Sequence, residues 1–399
     1  MARALVIGGS VGGLMAGNLL RKAGWDVTIF ERARGDLATR GAGLGVSREL
    51  AEVLQRCGAR FDGTGGAPNR GYVWMERDGS LAFEHPRENI TSAWQRVYKP
   101  LREITPPEIY RQGKNLLRVE QDGQSVMAIF EDGTRESGDL LVAADGVYST
   151  VRAQYLPDVE PHYVNYVAWR GIVEEADIPA WAREAIAGYV VNCFPEGEQL
   201  LTMAVPGADE DIRPGHRRFY AIWYRPAKGD RLREMFTDAS GKHHGIAIPP
   251  PLIQQHFIDE VRRDAPVRLP PAAAEVIKAA PTLLLQAISD MESPQLVFGR
   301  VAIMGDAAFI ARPHSAAGVS KAALDAACLA DELSRHGSID AALTSYNALR
   351  LEFGRSLVAH ARYLGAYLEG VDETRDPRKI IEDYGAPHLL HDVPLPAEQ

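Results

Sequence analysis

The chain has 399 residues, 46% hydrophobic and 24% charged, enough to bury a large core spread over two or three domains. Its formal charge of −9 argues against any general attraction to nucleic acid or anionic membrane, and the short basic runs at Arg217 and Arg262 read as solvated faces. Cys57, Cys193 and Cys328 are odd in number and lack a C-x-x-C pair, and the histidines show no ligand spacing. Neither a disulfide framework nor a metal site is expected. The opening "MARALVIGG" is too short for a signal-peptide apolar region, and no run approaches the roughly 18 apolar residues of a span. A cytoplasmic location without membrane contact is therefore expected.

In chain order, the run from Arg3 to Ile7 is short, apolar and glycine-terminated, as a buried parallel strand should be. A helix follows to Ala23 and stops at Gly24; "DVTIF" from Asp26 is a second strand, ending on Glu31. "SRELAEVLQRCG" places Leu50, Val53, Leu54 and Cys57 on one helical face, with Gly58 as the stop. Strands are expected around the turn "RDGS", in "VMAIFEDG", and in "DLLVAADG", which ends on an acid and a glycine. From about Pro161 to Arg225 four aromatic, half-polar runs suit an antiparallel sheet with a covered face. Helical segments follow to about Ala280. "RVAIMGDAAF" is a further strand ending in Gly-Asp, and long helices follow from Gly318 to Arg335 and Asp340 to Leu368. The proline-rich tail is expected to be irregular.

Strand, glycine turn, helix, strand and acid together form the βαβ context of a dinucleotide site. Here Ser10 stands where the middle glycine of G-x-G-x-x-G would be, between Gly8 and Gly13. Glu31 follows Gly8 at about the spacing of a ribose-binding acid, roughly 20 residues, although a solvated acid after a strand is the alternative. Gly8 suits the tight turn, Gly13 the close approach of helix to strand, and the Ser10 hydroxyl can donate to a phosphate oxygen.

With "AADGVYSTVR", "GRVAIMGDAAF" and "RPHSAAGVSKAALDA", this loop resembles the FAD-dependent aromatic hydroxylases of the para-hydroxybenzoate hydroxylase type, over nearly the whole chain. "NYVAWRG" and "RPHSAAG" resemble the 2,6-dihydroxypyridine 3-monooxygenase branch. The resemblance implies an α/β chain: a Rossmann-like FAD-binding domain with a mostly parallel sheet (1–70, 92–160, 280–335), interleaved with an antiparallel-sheet substrate domain (71–91, 161–279). C-terminal helices and tail (336–399) follow, packing on the flavin domain, with a homodimer left open. It implies FAD held by Gly8, Ser10, Val11, Gly13, Glu31, Arg32, Arg40, Gly43, Leu44, Arg96, Asp145 and Gly146. Further cofactor positions are Gly305, Asp306, Pro313, Ala316, Ala317, Gly318, Val319 and Ser320. Asp306 would accept from the ribityl hydroxyls, Arg152 would steady the Asp145 loop, and Phe309 departs from the usual histidine without disturbing this. Free N–H groups near Gly318 would favour the anionic reduced flavin. Arg96 has a surface arginine as its alternative reading.

The implied activity is hydroxylation of a small electron-rich aromatic, a hydroxypyridine or phenol, through a C4a-hydroperoxyflavin. NADH or NADPH serves as transient reductant and O2 as co-substrate, because no second G-x-G-x-x-G unit exists for a resident reductant domain. His314 is the candidate acid/base or substrate anchor, a loop-shaping histidine being its alternative. Tyr189, Met203 and Trp223, with Asn192, lie on strands that can roof the pocket, but which face looks inward is left open. Trp169 reads as core, beside Arg170. Competing readings are a hydroxylase or epoxidase of a larger polycyclic product and a flavin-binding regulator without turnover.

Overall fold

The computed structural model describes residues 1–35, 37, 43–61, 66–208, 210–369, 376–385 and 389–390. Arg40 lies outside the described residues.

The parallel sheet has six strands, in the order Val297–Phe298, Val301–Ile303, Leu140–Ala143, Arg3–Ile7, Asp26–Glu31, Tyr110–Gln112. All neighbours run parallel except the antiparallel edge strand Val297–Phe298. Its central strands are buried, as a parallel sheet covered on both faces requires. The helices Val11–Lys22 and Gly318–Arg335 pack against each other beside it. Ile7 pairs with both Phe30 and Ala143, and Ala143 pairs with Ile303. Four parallel strands therefore end at one level, and the loops after them converge on the crevice where strand order reverses.

The second sheet has nine strands, running Phe309–Ile310, Leu283–Glu292, His162–Glu174, Arg218–Pro226, Gln199–Val205, Tyr189–Cys193, Ala67–Met75, Leu81–Ala93, Gly43–Gly45. One face carries Val167, Trp169, Phe219, Ala221 and Trp223 into a core shared with the helices Gln255–Arg268 and Pro271–Ala279. The opposite face carries Tyr166, Ala168, Met203, Tyr220, Ile222 and Tyr224. A three-stranded antiparallel sheet (Leu116–Gln121, Val126–Phe130, Arg135–Gly138) forms an excursion from the first.

Expected elements and structure agree closely at the amino-terminal βαβ unit and at Gly318–Arg335. The helix at Arg48–Cys57 is capped by the Ser47 side chain and ended by Gly58 at φ 90°. Two differences concern boundaries. Leu283–Glu292, expected in the flavin domain, pairs antiparallel with His162–Glu174 in the substrate sheet; its apolar run is that of an inner strand, which composition alone does not assign to one sheet. A short helix, Pro377–Glu382, capped by Asp376, stands before the proline-rich tail, where no element was expected.

Candidate functional site

The turn after Arg3–Ile7 is built by sterics. Gly8 has φ 104°, and a Cβ there would lie 2.2 Å from the Ala144 carbonyl oxygen. A Cβ on Gly13 would lie 1.8 Å from the Gly8 carbonyl oxygen, so the helix seats directly on the turn. Ser10 is the N-cap residue of Val11–Lys22, yet its side chain makes no capping hydrogen bond. It faces a cavity of about 300 Å³, also lined by Gly8, Glu31, Arg32, Asp145 and Gly146. The buried Glu31 carboxylate accepts from the Gly9 and Ala33 N–H groups, both at 2.8 Å, which fixes its orientation and leaves further lone pairs for a ligand. Asp145 accepts from the Val151 N–H through Oδ2, while its buried Oδ1 has no partner among the described residues. Burial raises its pKa, and a bound donor would satisfy it. Arg152 donates to the Val147 and Ala307 carbonyls, tying the Asp145 loop to the Asp306 loop.

Tyr148 also borders a second cavity of about 910 Å³, so the two spaces adjoin. Gly43, Leu44, Asp306, Pro313, Ala316, Gly318 and Val319 form its flavin-domain wall, and Tyr72, Arg170, Met203, Tyr220, Ile222 and Gln286 its substrate-sheet wall. Gly305 donates its N–H to Asp325, which is itself ion-paired with Arg350; this anchors the strand end before Asp306. Val11, Ala317 and Ser320 are buried and absent from the lining of either cavity, and the Ser320 hydroxyl is 2.8 Å from that of Ser47. Ala316 adopts φ 50° just before the Gly318–Arg335 helix, whose first N–H groups point from the cavity wall. Arg312 braces this loop through buried pairing with Asp290 and a bond to Glu369.

Five expected positions are corrected. Arg96 lies outside both cavities, donating to the Glu210 carbonyl and pairing with its carboxylate at 3.4 Å. Tyr189 points to the other side of its sheet, bonded to Glu84 and covered by Arg70. Trp223 is buried on the helix-covered face and donates to Glu198; Asn192 is bonded to Gln199. For Tyr189 and Trp223 strand alternation turned the side chain away, whereas Asn192 shares the face of Val190 but lies beyond the cavity lining. His314 sits behind the cavity, not in its lining. Its Nε2 is 2.9 Å from the Tyr166 hydroxyl, its ring packs on Tyr224, and its Nδ1 is buried without a partner.

Burial, aided by the Arg312 charge, pushes the His314 pKa down to about 3. Unfolded histidine takes up a proton near pH 6.5, so folding stability at this residue is full above that pH. It is lost progressively as pH falls toward 3. His314→Gln should therefore flatten the fall in thermal midpoint between about pH 6.5 and about pH 4; an unchanged slope would rule out His314 as its source.

Sequence patterning missed Tyr220, Gln286 and Tyr384 as cavity residues, and gave Arg170 no role. One signal was present: an arginine inside the otherwise apolar run "VAWRGIV" must face something polar once Trp169 is placed in the core.

A crevice at the carboxyl ends of parallel strands, roofed by an antiparallel sheet, is the arrangement of a nucleotide-cofactor enzyme with one dinucleotide-binding fold. The FAD binding domain-like family model matches residues 163–290. The chain is 29% identical to the 2,6-dihydroxypyridine 3-monooxygenase of Paenarthrobacter nicotinovorans over 92% of this chain and 91% of the relative. The solved 2,6-dihydroxypyridine-3-hydroxylase from Arthrobacter nicotinovorans superposes with a TM-score of 0.90 at 26% identity, covering 100% of this chain and 99% of that one. Klebsiella pneumoniae HpxO, solved with FAD and uric acid, gives 0.77 at 25% identity, with 98% and 95% covered. Over nearly its whole length the chain is similar to FAD-dependent aromatic hydroxylases, and it is an FAD-dependent monooxygenase using NAD(P)H and O2.

The residues present fit that cofactor. The glycine turn leaves no room for a side chain, Asp145 Oδ1 lacks a donor, and Asp306 faces the adjoining cavity. Among the described residues no metal-binding cluster occurs, and no helix is long and apolar enough to cross a membrane.

Proposed function

We propose that the chain hydroxylates a small aromatic of the hydroxypyridine or phenol class, bound with one ring hydroxyl ionised. The observation that carries this is the pair Arg170 and Tyr220 on the cavity face. Buried Arg170 Nε and Tyr220 Oη both lack partners among the described residues. Arg170 registers with Ile222, and Ile172 with Tyr220, so the two side chains are diagonal neighbours across paired strands. Around them the wall is apolar: Val190, Met203, Ile222 and Ile288.

In such surroundings a guanidinium has little water to share its charge with, so an oxyanion placed against it gains strongly. Arg170 thereby lowers the pKa of a substrate hydroxyl, and the ionised ring becomes richer in electrons at its neighbouring carbons. Burial raises the Tyr220 pKa, so its phenol stays protonated and donates to the same oxygen. The apolar wall holds the ring and excludes water. FAD held in the crevice would supply the redox chemistry, oxidation of NAD(P)H and activation of O2, with one oxygen atom entering the ring and the other leaving as water. Because this cavity must admit the flavin ring as well as substrate, it supports one small ring rather than a polycyclic product.

The accompanying setting is a cytoplasmic enzyme with no nucleic-acid partner, which the charge of −9 supports. The test is a screen of hydroxypyridines, hydroxybenzoates and flavonoids, following NAD(P)H oxidation, oxygen uptake and product mass. A hydroxypyridine or simple phenol should stimulate oxidation and gain one oxygen atom. Protein that retains no FAD, or that no phenolic ligand stimulates, defeats the proposal.

A further inference from the structure

Lys321 is an unusual residue at its position. Its side chain is only 1% exposed, and it lies in the opening turns of the Gly318–Arg335 helix, which has no acidic residue in its first turn. Two terms oppose a lysine there. A buried ammonium loses hydration worth several kcal/mol unless it is well paired, and a cation near a helix N-terminus meets the positive end of the macrodipole. An apolar side chain would fill the same space without either cost.

The compensation is specific. Lys321 Nζ pairs with Asp306 Oδ1 at 2.8 Å and donates to the Phe309 carbonyl. Asp306 is half exposed in the large cavity, and its Oδ2 has no hydrogen bond among the described residues. One carboxylate oxygen is thus clamped from behind while the other is presented to the cavity. Phe309 also packs tightly on Gly354 of the long helix Ile339–Gly365, so the carbonyl end of the clamp is itself fixed.

We propose that Lys321 is a cofactor-positioning residue. It holds the Asp306 carboxylate in the orientation that receives a sugar-alcohol hydroxyl of FAD, and it adds a desolvated positive charge behind the flavin, in the same sense as the adjoining helix N-terminus. The inference rests on the assignment of the crevice to FAD and goes beyond it in giving a buried lysine control over both affinity and reduction.

Lys321→Met, similar in length and apolar, tests it in the holoenzyme. Two readouts do not require turnover: FAD release on dilution, followed by flavin fluorescence, and the midpoint potential, from reductive titration against a redox dye. Lys321→Met should weaken FAD binding at least about tenfold, as expected for losing a hydrogen-bonded charge worth roughly 1.5–3 kcal/mol, and should move the potential negative. Asp306→Asn, which leaves the ammonium uncompensated, should move the potential positive. The double variant should bind FAD no more weakly than Asp306→Asn alone, because Lys321 acts through Asp306. A lysine that only supports folding would lower thermal stability without this opposite pair of potential shifts. If Lys321→Met does not fold, Lys321→Gln, which is also uncharged, takes its place, and its negative shift beside the positive shift of Asp306→Asn decides. Wild-type potential in the variants that fold overturns the proposal. Wild-type protein that binds no FAD would instead defeat the cofactor assignment itself.

Discussion

Gly13→Ala is expected to give protein that purifies without FAD. The added Cβ would stand 1.8 Å from the Gly8 carbonyl oxygen, a backbone atom that no side-chain rotation can move. Either the helix Val11–Lys22 lifts from the turn or the turn itself shifts, and Gly8 cannot yield, because it is pressed in turn against the Ala144 carbonyl. Overpacking of this kind costs about 1–3 kcal/mol or more, and here it falls on the N–H groups that would hold a pyrophosphate. At 1.4 kcal/mol per tenfold, FAD affinity should drop by roughly 10- to 100-fold or beyond. Ser10→Ala, which removes one hydroxyl and leaves the backbone alone, should cost about tenfold at most. Flavin absorbance relative to protein absorbance, with thermal midpoints in added FAD, reads both. Gly13→Ala with full flavin content would show that the crevice is not a phosphate turn.

Arg170→Met should leave FAD bound and lower kcat/KM for an ionisable phenolic substrate by roughly 100- to 1,000-fold, corresponding to about 3–4 kcal/mol for losing a desolvated charge-assisted contact. The loss should shrink as pH rises past the substrate's own hydroxyl pKa, because ionisation then no longer depends on the guanidinium. Arg170→Lys should recover only part of the activity, since an ammonium is a point charge without the planar fork. The reductive half-reaction measured without substrate should be unaffected. An Arg170→Met enzyme with wild-type kcat/KM and an unchanged pH profile would remove Arg170 from substrate binding and leave Tyr220 as the polar group to test.

The crevice proposed to take the cofactor was legible in the chain. Gly8, Glu31, Asp145 and Asp306 each follow a short apolar run, and such runs in a βαβ order place their carboxyl ends together. The substrate half was less so. Tyr189 and Trp223 were expected in the pocket and face elsewhere, while Tyr220 and Arg170 occupy it. Arg96 stood in a motif-like position but is held by Glu210, which lies more than a hundred residues away in sequence and is invisible to local patterning.

Local chain chemistry therefore determined the nucleotide crevice: a positive φ, a helix resting on a carbonyl, and a carboxylate just past a strand are properties of a few consecutive residues. Which side of the nine-stranded sheet looks into the cavity was decided only by tertiary packing. Alternation divides Arg218–Pro226 into Phe219, Ala221, Trp223 and Tyr220, Ile222, Tyr224, and both sets are apolar enough to be core. The helices Gln255–Arg268 and Pro271–Ala279 cover the first set, and what remains, with Arg170 among it, faces the flavin domain. The same packing buried Lys321 against Asp306, a contact that their separation along the chain does not reveal.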